Sequence, residues 1–164
     1  MTQNIIDDFF LHYIKKPILK QDITINSYDE YIKNNNMFSL YFYSICIPSS
    51  NKSAYGGVIY KTDNISPQHI EFDSYYKYME KSTNIEAGYE GLLSGLEKVL
   101  SLNIKNLKIF GDSTIIPQKN KKKYDGLAIL LNQFNHIEFN HVNEKKNIRA
   151  HELADEALNH QSSK

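Results

Sequence analysis

The succession of hydrophobic patterns predicts an α/β fold, a five-stranded mixed sheet flanked by helices. Three observations carry that prediction. SLYFYSICI (39–47), YGGVIYK (55–61) and QHIEFDSYY (68–76) are strand-like runs joined by short connections, which reads as an antiparallel meander. Beyond residue 80, helical and strand patterns alternate, giving the order βββαβααβα, and strands separated by helices join a sheet in parallel. The composition is that of a globular chain: 164 residues, 41% apolar and 23% charged, enough for one domain with a short extension.

Residues 1–36 read as a helical N-terminal extension, and residues 37–164 as the main domain. Ile5, Ile6, Phe9, Phe10, Tyr13 and Ile14 recur at helical spacing until Pro17 ends the pattern. Such a stripe packs on its own domain or docks a partner. Ser27 and Glu30 have the spacing of a capping box and open a second short helix, which Asn34–Asn36 close. The run 39–47 is rich in aromatic and β-branched residues, as a buried strand is. Ile85, Tyr89, Leu92, Leu93, Leu96, Val99 and Leu100 follow a 3.6-residue period and spell a helix over 85–102. LKIF (107–110) is a short apolar strand. A helical piece near Thr114–Gln118, a lysine-rich loop, a helix over 125–135, the strand IEFNHV (137–142) and a helix from Asn147 to His160 complete the order.

Nineteen basic and nineteen acidic residues leave no net charge, which argues against a polycation that coats nucleic acid. Arg149 is the single arginine, so any phosphate contact relies on lysine point charges. The one cysteine, Cys46, excludes an internal disulfide framework and reads as a core thiol. No apolar stretch is long enough to span a bilayer. Asp7 and Asp8, with no arginine nearby, fit neither a secretory signal nor a transit peptide, so the expectation is a soluble intracellular protein without a membrane partner. The histidines show no zinc-ligand spacing, and no P-loop, dinucleotide fingerprint or nucleophile elbow is present.

LYFYSIC followed by AYGGVIY, the segment STNIEAGYEGLLSGLEKVL, the pair in FGDS and the helix NIRAHELADEAL together resemble the ribonuclease H type 1 family over about residues 38–160. The resemblance implies the RNase H-like fold. It also implies an activity: cleavage of the RNA strand of RNA/DNA hybrids by two magnesium or manganese ions held by four carboxylates. Paired metals about 4 Å apart activate the attacking water and stabilise the leaving oxygen.

By the same resemblance Glu86 and Asp112 stand at two of the four carboxylate positions, whereas Tyr43 and His151 stand at the other two. A neutral phenol does not replace a bridging aspartate at neutral pH. Asp155, one helical turn beyond His151, is a candidate to reach in. Tyr43, Glu86, Asp112 and His151 are expected to converge on one remnant site in which Glu86 and Asp112 hold metal weakly or not at all. Asn84 matches a family asparagine that contacts the RNA backbone, and Lys119, Lys121, Lys122 and Lys123, with Lys145 and Lys146, offer a basic surface for nucleic acid. Tyr75, Tyr76 and Tyr78 either stack bases or pack on the sheet.

The reading that follows is a catalytically inactive RNase H-like module without a cofactor, a protein-interaction or nucleic-acid-binding component of a larger assembly. Its partners are another protein, RNA or an RNA/DNA hybrid. The alternative is a metal-dependent ribonuclease H using Mg2+ or Mn2+.

Overall fold

The structure, a computed structural model, describes residues 37–62, 69–111 and 125–162. The helices expected within 1–36 and near Thr114–Gln118 lie outside the described residues.

Strands β1 (Met37–Ile47), β2 (Lys52–Thr62) and β3 (His69–Met79) form the expected antiparallel meander. Strands β4 (Asn106–Gly111) and β5 (His136–His141) join it in parallel, and the sheet order is β3-β2-β1-β4-β5. Phe38–Tyr41 pair with Leu107–Phe110, so SLYFYSICI and LKIF are neighbours as predicted. Helices α1 (Asn84–Ser101) and α2 (Asp125–Leu131) pack on one face, and α3 (Ile148–Ser162) on the other.

The period of two along β1 divides its side chains between the faces. Leu40 and Phe42 are fully buried in the main core with Ile59, Leu92, Leu96, Ile109 and Phe139. Tyr41 and Tyr43 point the other way, onto Val58, Ala150 and Leu153. Helix α1 starts at a capping box: the Thr83 side chain accepts from Glu86 N–H, and the Glu86 carboxylate accepts from Thr83 N–H. It ends with Asn103 at φ 60°, while Ile104 N–H reaches back to the Val99 carbonyl and Asn103 N–H to that of Leu100. That is the Schellman arrangement, with asparagine in the left-handed position.

Three boundaries differ from expectation by three residues or more, and at one of them β3 runs on to Met79 rather than stopping at 76. β2 begins at Lys52 rather than at 55, because Asn51 takes φ 51° and turns the chain without a glycine. α2 stops at Leu131, where Gln133 and Phe134 donate to carbonyls only three residues back and Asn135 N–H turns to the Lys105 carbonyl.

Close approach of helix and sheet is paid for in side-chain volume at two glycines. A Cβ on Gly56 would stand 2.6 Å from Ala154 N and 2.7 Å from the Ala150 carbonyl oxygen, so α3 lies directly on β2. On the other face Tyr75 donates to the Gly91 carbonyl at 2.6 Å, its hydroxyl lodged where a Gly95 side chain would be.

Candidate functional site

Two asparagines at helix starts grip the middle of β1. Asn147, buried just before α3, donates from Nδ2 to the Phe42 carbonyl at 2.8 Å. Ser44 donates from Oγ to Asn84 Oδ1 at 2.9 Å, at the first turn of α1. Tyr43 lies between these anchors, half-buried. Its ring meets the His151 ring edge-on, with centroids 4.7 Å apart and planes at 64°. His151 reaches this place because it lies one turn after Asn147, whose carbonyl accepts its N–H at 3.1 Å. Its Nε2 is 3.9 Å from a carboxylate oxygen of Glu144 in the 3-10 turn Glu144–Lys146.

The structure therefore brings Tyr43 and His151 together on the face of α3, while Ser44 and Asn84 meet at the start of α1. Glu86 lies in the first turn of α1. It is exposed, and its carboxylate turns back on Thr83 N–H at 2.8 Å. At 100° per residue it stands about 160° around α1 from the middle of the buried face, on the solvent side. The buried face is made by Ala87, Gly88, Gly91, Leu92, Gly95, Leu96 and Val99. Gly88 is near its centre, where a side chain would point at the sheet. Asp155 is exposed on α3. Asp112 and the lysines 119, 121, 122 and 123 lie outside the described residues.

Magnesium demands hard oxygen donors in near-octahedral array. Of the described residues here, a phenol and an imidazole do not supply such donors. Among the described residues no three of His, Cys, Asp and Glu are gathered as a metal-holding group.

The aromatic series resolves into separate roles. Tyr75 is partly buried against α1, and Tyr78 packs on Ala54, Ala157 and Leu158, which leaves Tyr76 the exposed one of the three. Burial pushes the Tyr75 phenol well above the usual tyrosine range, with Tyr55 adding to it. Cys46 is only half-buried, with Sγ 3.8 Å from the Ser82 carbonyl oxygen. No helix among the described residues is long and apolar enough to cross a membrane.

Sequence reasoning missed a cleft of about 350 Å³ between α3 and the sheet, lined by Tyr41, Tyr60, His69, Lys146, Asn147 and Arg149 among others. Arg149 gives Nε and Nη2 to Glu71 at 3.1 and 3.2 Å and reaches Glu152, so its charge is matched within the fold. Those hydrogen bonds hold the guanidinium above its ordinary range. Such pairs join residues 78 apart, and no local pattern announces them.

A family profile described as "Reverse transcriptase-like" matches residues 48–157. Curated protein sequences give no match. Among solved structures, ribonuclease H1 of the halophilic archaeon Halobacterium salinarum superposes with a TM-score of 0.64 at 21% identity, covering 76% of this chain and 98% of that one. The N-terminal ribonuclease H domain of a Mycobacterium tuberculosis protein gives a TM-score of 0.65 at 20% identity, over 78% of this chain and 99% of the other. LC11-RNase H1, solved in complex with an RNA/DNA hybrid, gives 0.63 at 22% identity, over 76% and 98%.

Proposed function

We propose, from the premise that this chain belongs to the reverse transcriptase-like family and has the ribonuclease H fold, that it is a catalytically inactive member acting as a binding component of a larger assembly. The observation that carries this is the Tyr43–His151 ring contact, which fills with a phenol and an imidazole the place where the family needs two carboxylates. Two-metal hydrolysis requires a shared anionic ligand between the ions. A phenol with its ordinary pKa of about 10 remains neutral at pH 7.

Helix α1 supports the same reading. The middle of its buried face is at 88, where glycine offers no carboxylate, and Glu86 accepts from the Thr83 N–H at the cap. The remnant carboxylates of the site are Glu86 and Asp112. Retained core and lost ligands are what selection for binding without cleavage leaves behind.

The nucleic-acid surface consists of Asn84, already ordered by Ser44, and the lysines at 119, 121, 122 and 123, with Lys145 and Lys146 exposed on the turn before α3. Each lysine that neutralises a phosphate releases counterions, so such binding weakens steeply with salt.

The test is a cleavage assay on an RNA/DNA hybrid in magnesium and in manganese, run beside a salt titration of binding to hybrid, duplex and single-stranded probes. The expected result is no cleavage, with binding, where present, that falls as salt rises. The variant Tyr43→Asp with Gly88→Glu and His151→Asp is expected to bind magnesium measurably by calorimetry, whereas Tyr43→Asp alone gains little. If the unmodified protein cuts the RNA strand and Glu86→Gln abolishes cutting, the inactive reading is wrong and the metal-dependent nuclease stands.

A further inference from the structure

One row of the sheet is covered at one end and bare at the other. Ile70, Lys61, Phe38, Leu107 and Ile137 are successive register partners across the five strands, so their side chains share a face. Leu107 and Ile137 are buried beneath the helices, and Phe38 is half-buried. Ile70 is 58% exposed. Beside it the irregularity in β3 carries Phe72, 48% exposed, whose ring meets Phe38 edge-on at 5.5 Å. The helical cover stops short of this corner: Lys98, in the last turn of α1, is paired with Asp73 at 3.3 Å, and Phe72 and Ile70 lie beyond that pair along β3. Two large apolar side chains side by side on an edge strand form a patch rather than scattered exposure.

Where the chain enters the sheet identifies the occupant. Met37 pairs with Thr62 and Thr62 with His69, so the row next to the bare one is where the preceding 36 residues arrive. Those residues include the stripe Ile5, Ile6, Phe9, Phe10, Tyr13 and Ile14. Ten helical residues span about 15 Å, close to three strand spacings of about 4.8 Å. We infer that the helix spelled by residues 5–14 packs its apolar stripe on the corner made by Phe38, Ile70 and Phe72. The extension is then part of the domain's cover on the face of α1 and α2, and this inference stands whether or not the protein cleaves RNA.

Hydrogen exchange read by mass spectrometry on the full chain tests it. Amides of 5–14 are expected to be protected in the unmodified protein, and Phe72→Asp and Ile70→Asp each to reduce that protection by about tenfold or more while α1 and α3 keep theirs. Phe9→Asp, which alters no residue of the sheet, is expected to do the same and to loosen the amides of 69–72. Full exchange of 5–14 in the unmodified protein, or protection indifferent to Phe72→Asp and Phe9→Asp, overturns the inference. A dimer in light scattering that Phe72→Asp dissolves, with 5–14 unprotected, assigns the corner to a second copy and overturns it as well.

Discussion

On the face beneath α1 and α2, β1 contributes Leu40 and Phe42, both at 0% exposure. One residue along, on the face beneath α3, it contributes Tyr41 and Tyr43, both half-buried and in ring contact with Phe110, Tyr60 and His151. The first face is a continuous aliphatic and aromatic core whose polar groups are partnered, as the Tyr75 hydroxyl is by the Gly91 carbonyl. The second is covered by one helix, and burial pushes its Tyr41 and Tyr60 phenols upward, Glu71 adding to the effect at Tyr60. The contrast teaches how unevenly one fold constrains the two faces of a single strand. Packing constrains alternate residues of a strand, and the residues between them are free to change identity so long as they fill space.

The largest expected effect breaks the first face. Phe42→Ala removes a fully buried ring and is expected to cost about 4 kcal/mol, whereas Tyr43→Ala, at a half-buried site, costs about 1 kcal/mol. Denaturant midpoints of the two variants check the ratio, and equal losses would show that the two faces carry the fold alike.

Tyr75 sharpens the comparison through pH. Burial raises its folded-state pKa, so the folded protein keeps a proton that the unfolded chain gives up near pH 10. The stabilisation is whole below about pH 10 and is lost as pH climbs toward the folded value. Tyr75→Phe loses the bond to the Gly91 carbonyl, about 1 kcal/mol at neutral pH, but has no proton to surrender. Its stability is expected to fall less steeply in alkali, as thermal melts at stepped pH would record.

The smallest effect belongs to Glu86. Glu86→Ala is expected to cost about 0.5 kcal/mol, the value of one arm of a capping box, with no change in binding to a hybrid probe. A large loss of binding would restore Glu86 to the site.

The sheet was legible because its periodicity is strong. The runs around Leu40, Ile59 and Ile109 carry the β-branched and aromatic signal, and Ile85–Leu100 keeps the helical period over about four turns. The edges were less so. Lys52 and Ser53 belong to β2 only because Asn51 supplies the left-handed turn, which composition alone does not announce. The site was legible in part. Tyr43 and His151 meet, and both fall at positions read from sequence. Glu86 reads two ways because Thr83-x-x-Glu86 spells a capping box as plainly as Ser27-x-x-Glu30 does, and a cap and a metal ligand share the same letters; in the fold its carboxylate accepts from the Thr83 N–H and is exposed.

The hydrogen bond from Asn147 to the Phe42 carbonyl spans 105 residues, and its consequence is kinetic. Closing so long a loop is entropically costly, and contacts of that separation form after local ones. The meander of β1, β2 and β3 is local by comparison and can pair as soon as it is made. The grip on residues 42–44 waits for the start of α3 to be synthesised and docked. From the pairing of the meander until α3 docks, therefore, Tyr43 stays open to water.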